Sequence, residues 1–223
     1  VMKPNQTELP KYTPAQEFWN SFSHALGVVF TLIAGPFLLY KAAVSGDPWK
    51  IVSSSLFVFS LLMLYTFSAL YHGLKRSKGK RVLRVMDHDM VYVLITGTYA
   101  PFCLVSLRES SPAWGWSIYG LCLALGTLGI VLNSCDLKKF GIFSMVDYIA
   151  MGWIIMISIY PLGQAIGWWP GTFLLFLGGI AFTAGAVLYG IGGKKNQWFH
   201  LVFHFLVLIG TTLMFFSIYY CVI

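Results

Sequence analysis

Two imidazoles, His200 and His204, open a segment, FHLVFHFLVLIGTTLMFFSIYY, that is otherwise almost entirely apolar. On a helix, positions i and i+4 share a face, which is how a helix grips a metal. Two such rings on one turn of an apolar helix are costly to bury without partners. A third, His72, closes the run SALYH at 68–72. Three neutral imidazoles with an open fourth position make a catalytic zinc shell, and a nearby carboxylate can accept a proton from water there. His72, His200 and His204 are therefore the expected ligands of Zn2+. Ser68, one turn before His72 on the same face, is placed to hold the water or a substrate. Asp87 is the candidate base, because a carboxylate beside a dication stays ionised without a lysine partner. His24 and His88, taken singly, read as interfacial or packing residues.

The elements that position these groups follow from composition. Of 223 residues, 57% are hydrophobic and 10% charged, with a mean hydropathy of +0.73, whereas soluble domains run near 25% charged. The expected fold is an all-α polytopic membrane protein. Seven stretches are long enough to cross about 30 Å of hydrocarbon, roughly 22–43, 51–73, 86–107, 114–134, 143–163, 170–191 and 198–222. The breaks fall at GDPWK, KRSKGKR, RESSPAWG, DLKKFG, GWWPG and GKKN, each rich in Gly, Pro or charge. Residues 1–21, with Pro4, Pro10 and Pro14, are expected to form a polar cytoplasmic segment rather than a cleavable signal. Residues 22–223 form the seven-helix domain. The four cysteines lack CxxC spacing and imply neither a disulfide framework nor a thiolate metal site.

With the N-terminus inside, Lys3, Lys11, Lys75, Arg76, Lys78, Lys80, Arg81, Arg84, Lys138, Lys139, Lys194 and Lys195 are cytoplasmic, twelve of the fifteen basic residues. Only Lys41, Lys50 and Arg108 fall outside, so the positive-inside rule favours N-in and C-out. The net charge of +7 is then a topology signal and no sign of a nucleic-acid partner. The cluster at 75–84 is a short juxtamembrane segment suited to anionic lipid head groups. In this topology His24, His72, Asp87, His200 and His204 all lie at cytoplasmic helix ends, at a similar depth, and converge if the helices carrying them are neighbours.

The ordered set Glu17-x2-Asn20-x3-His24, SALYH (68–72), MDHDMVYVLITGTYAPF (86–102), DYIAMGW (147–153) and HLVFHFLVLIG (200–210) resembles the hemolysin III family. That family is the bacterial branch of the progestin and adipoQ receptor family, which includes the adiponectin receptors. The resemblance runs from about residue 15 to the end and implies a seven-helix fold, inverted relative to G-protein-coupled receptors, with zinc near the cytoplasmic side. Position by position, His72, His200 and His204 match the zinc ligands, Ser68 and Asp87 the water-holding pair, and Glu17, Asn20 and His24 a first motif that supports them. Asp89 departs from the pattern, standing where a small or apolar residue is expected. Relatives in the wider superfamily, such as alkaline ceramidases, look like zinc amidases. The implied function is thus a zinc-dependent hydrolase of lipid amide or ester bonds at the inner leaflet of the bacterial cytoplasmic membrane. The alternative is a receptor or membrane-state sensor with structural zinc. A pore-forming haemolysin fits less well, since a lytic pore needs a wide polar lumen or a soluble form that inserts. Homo-oligomer formation, and whether the small residues of 178–193 serve packing or dimerisation, stay open.

Overall fold

Thr13 starts the first helix. Its backbone is extended, its hydroxyl accepts from the Gln16 amide at 3.3 Å, and its own amide donates to Gln16 Oε1 at 2.9 Å. This reciprocal cap, with Pro14 in the first turn, satisfies donors that a helix start leaves orphaned. Helix α1 (Pro14–Val44) thus begins eight residues before the apolar window at 22, because capping and not hydropathy decides where it starts. Helix α2 (Pro48–Gly73) opens on Asp47, whose carboxylate accepts from the Trp49 amide at 2.8 Å. Helix α3 (Lys78–Pro101) opens on Ser77, and continues through a π-helical turn at Phe102–Leu107 to Ser110. Pro101 lacks the amide that a regular helix would use there. Then follow α4 (Pro112–Trp153), α5 (Ile159–Ile166), α6 (Phe173–Val187) and α7 (Trp198–Cys221). The computed structural model describes residues 7–192 and 196–223, and among these all regular structure is helical. Lys3, Lys194 and Lys195, counted above for orientation, lie outside the described residues.

Among the described residues, five helical stretches are long and apolar enough to cross a membrane: Pro14–Val44, Pro48–Gly73, Lys78–Ser110, Pro112–Gly190 and Trp198–Cys221. The fourth holds 79 residues, which as a straight rod would run roughly 120 Å, about four hydrocarbon thicknesses. It folds back instead. Asp136 leaves helical geometry (φ −163°, ψ 91°) and its carboxylate accepts from the Lys139 amide at 3.0 Å. Beyond it, Ser144 donates to Asn133 Oδ1 at 2.6 Å, and Asn133 Nδ2 donates to the Tyr148 hydroxyl at 3.2 Å. A second reversal lies at Gly167 (φ 78°) and Trp169 (φ −128°, ψ 129°), after which the Trp153 indole donates to Thr183 Oγ1 at 2.9 Å.

On α1 the inward face is mostly small or polar and the outward face large and apolar. Asn20, Ser23, His24, Gly27, Thr31 and Gly35 are buried at helical spacing, while Phe22, Val29, Leu32, Ile33 and Phe37 are exposed. This inversion of the soluble pattern suits a solvent of hydrocarbon, where close backbone approach rather than water exclusion drives helix association. At Gly129 the approach is closest: a Cβ there would overlap the Tyr92 ring. Helix α1 packs on α2 and α7, and α2 on α3. The first turns of α1 and α7 and the last turn of α2 therefore meet at one end of the bundle.

Candidate metal centre

At that end α2 delivers His72 and α7 delivers His200 and His204, all buried, with one ring nitrogen of each lying within 4.8 Å of the others. His72 Nε2 and His200 Nε2 are 3.1 Å apart. Tetrahedral zinc with Zn–N of about 2.0–2.1 Å separates its nitrogens by roughly 3.3 Å, close to the spacing of this pair.

The first motif sits behind these rings. Glu17 Oε2 is 2.8 Å from His72 Nδ1, and Glu17 Oε1 is 2.7 Å from the Lys80 ammonium. With its Nδ1–H donated to the carboxylate, His72 keeps Nε2 bare for a metal. His204 is held in the same sense: its Nδ1 lies 3.2 Å from the Asn20 carbonyl and 3.0 Å from the Ser23 hydroxyl. Asn20 thus contributes through its backbone, while its side-chain amide is buried without a partner. His24 stacks on His204 with ring centroids 3.7 Å apart and meets Tyr65 edge-on. Both its nitrogens are buried and unpartnered. His200 Nδ1 is likewise unpartnered.

His24, His200 and His204 line a cavity of about 420 Å³, as do Ser68, Asp87 and His88. Ser68 Oγ is buried without a hydrogen-bond partner of good geometry, although it lies beside the Asp87 carboxyl. The remaining walls are largely apolar, with Leu64, Val91, Ile95, Phe182 and Met214 among them. Asp89, the departure from the expected pattern, is not among the residues that line this cavity. It accepts from Ser134 at 3.1 Å, near a hydrogen-bonded set in which Ser144, Asn133 and Tyr148 lead to the His88 carbonyl.

Three contributors were not singled out in the sequence. Lys80, counted above as a loop cation, is 2% exposed; it donates to Glu17 and to the Leu74 carbonyl and lies over the Tyr71 ring. Ser23 is silent because serine is common on membrane helices. Tyr12, in the polar stretch before α1, lays its ring 5.6 Å from that of His72 and 5.5 Å from that of His200. Burial pushes its phenol well above the ordinary range, so it stays a neutral hydroxyl. No spacing rule links a residue in an irregular segment to a site formed by later helices.

Residues 12–215 match the family described as Haemolysin-III related. The chain is 37% identical over 212 residues to the Hemolysin-3 homolog of Bacillus subtilis (strain 168), covering 95% of this chain and 97% of that protein. It is 31% identical over 208 residues to Hemolysin-3 of Bacillus cereus, covering 93% and 92%. With its apolar helices and the motif residues gathered at one end, the chain is a multi-pass membrane protein that belongs to the haemolysin III family.

Proposed function

We propose that this protein is a zinc-dependent hydrolase of lipid amide or ester bonds, working at the inner leaflet of the bacterial cytoplasmic membrane. The observation that carries the reading is that His200 and His204, two of the three clustered imidazoles, line one largely apolar cavity together with Asp87 and Ser68. In this reading the stretch 112–190 crosses the membrane three times, giving seven crossings with the N-terminus inside. His72, His200 and His204 would hold the zinc, which would supply the acidity that makes a water nucleophilic near neutral pH. Asp87 takes a proton from that water as it attacks the carbonyl carbon, and returns it to the departing amine or alkoxide. Ser68, buried beside the Asp87 carboxyl, donates to the carbonyl oxygen as negative charge gathers there. The apolar walls hold the acyl chain and keep bulk water away.

The test is turnover of a panel of amide and ester lipids, ceramide-like ones first, by the purified protein in nanodiscs. Wild type should hydrolyse at least one. Asp87→Asn should keep the fold and much of the zinc while losing about 10²–10⁴ in rate, the usual worth of a general base. His200→Ala should give only background. Equal background rates for wild type and His200→Ala would exclude the hydrolase and leave the sensor with structural zinc.

A further inference from the structure

Apart from Asp87, the charged residues lining the cavity among those described are Arg84 and Lys138. Arg84 comes from the first half of α3, and Lys138 from just past the reversal at Asp136, so two basic groups far apart in sequence meet on one apolar chamber. Both are engaged by one residue of the segment leading into α1. Lys138 Nζ donates to the Glu8 carboxylate at 3.1 Å, and the Arg84 guanidinium donates to the Glu8 carbonyl. The same segment continues over the site: Arg76 donates to the Pro10 carbonyl at 2.9 Å, and Tyr12 lies against His72 and His200. The Glu8–Lys138 pair is mostly solvent-exposed, with side chains 71% and 68% accessible, so it is weakly held and exchangeable.

A basic pair on a largely apolar cavity is an arrangement for an amphiphile with an anionic end, the chain in the chamber and the head on the cations. We propose that Arg84 and Lys138 bind the anionic head, carboxylate or phosphate, of a single-chain lipid, and that Glu8 is an internal carboxylate that competes for that place. This rests on the reading of the cavity as a lipid chamber and adds the charge of the ligand and the residues that select it. Ligand entry then displaces the Glu8 contact and frees the segment that carries Tyr12 across the imidazoles. The affinity observed for wild type is accordingly lowered by the fraction of molecules in which Glu8 occupies the site.

The experiment is equilibrium binding of radiolabelled laurate, dodecyl phosphate and dodecanol to the full chain in phosphatidylcholine nanodiscs, for wild type, Glu8→Gln, Lys138→Gln, the double variant and His200→Ala. Glu8 and Lys138 are exposed, so these substitutions leave the fold intact, which helical content and elution profile verify. Loss of one charge-assisted contact should weaken binding of an anionic amphiphile to Lys138→Gln about tenfold, leaving dodecanol unchanged. Glu8→Gln should tighten it several-fold, a gain absent from the double variant. Whichever of laurate and dodecyl phosphate responds names the head group. Anionic binding indifferent to Lys138→Gln overturns the proposal. If that binding is also lost in His200→Ala, the head lies on the metal centre, which leaves the hydrolase reading standing while this one fails. An unchanged affinity in Glu8→Gln overturns the role of Glu8 as competitor.

Discussion

The contact between Glu17 and His72 determines which imidazole nitrogen is available. With Nδ1–H donated to Glu17 Oε2 at 2.8 Å, Nε2 turns toward His200 and the site is oriented before any ion arrives. Replacing the carboxylate by an amide removes the charge that raises the basicity of the ring and leaves the buried Lys80 without its anion. Glu17→Gln should therefore lower zinc affinity by about 10–100-fold, measured by competition with a chelator of known affinity, with the fold retained. An unchanged affinity would show that the Glu17 contact serves packing alone. At this scale the cluster of imidazoles was legible from spacing, Glu17, Asn20 and His24 entered only through the resemblance, and the contacts they make were not legible. The i, i+4 spacing of His200 and His204 announces a shared face. The pairing of Glu17 with His72 spans 55 positions and exists only because α1 packs on α2. Asn20 acts on His204 through its carbonyl, which every residue possesses.

Among the elements, starts were written in the caps Thr13, Asp47 and Ser77, each a short oxygen-bearing side chain just before a helix. In the stretch 112–190 the breaks expected at DLKKFG and GWWPG coincide with the two reversals, although the chain stays helical up to a single residue, Asp136, and resumes after it. The leg before the reversal packs tightly against α3, where Gly129 admits the Tyr92 ring, and Tyr92 in turn meets Tyr148 of the returning leg. Gly129→Ala should cost about 1–3 kcal/mol through overpacking, less the roughly 0.5–1 kcal/mol that alanine gains over glycine in a helix. Gly120, on the same helix, has open space around its Cβ direction, so Gly120→Ala shows the propensity gain alone. Thermal unfolding in detergent should give a lower midpoint for Gly129→Ala and an equal or higher one for Gly120→Ala; equal midpoints would mean that Tyr92 relaxes without loss. Within the small-residue run, a Cβ at Gly178 would meet Met214 and one at Gly185 would meet Phe203, so these two glycines pack α6 on α7.

For the whole molecule, composition alone dictated a membrane bundle, and charge placement carried the expected orientation. If the basic end faces the cytoplasm, a cysteine at Lys78 should react with an impermeant maleimide only after the cells are opened, and one at Ser110 should react on intact cells; labelling at 78 from outside would reverse the orientation. The order of helices around the bundle was not legible, since no pattern in one helix names its neighbour. It is that order, α1 between α2 and α7, that joins the motifs into a single centre. The claim most exposed to test is that the centre holds zinc through His72, His200 and His204. Metal analysis of the purified, dialysed protein should find about one zinc per chain, lost in each of His72→Ala, His200→Ala and His204→Ala, because removing one of three imidazoles forfeits most of the affinity. His88→Ala should keep it. Stoichiometric zinc retained in the three ligand variants, or none in the wild type, would contradict the account.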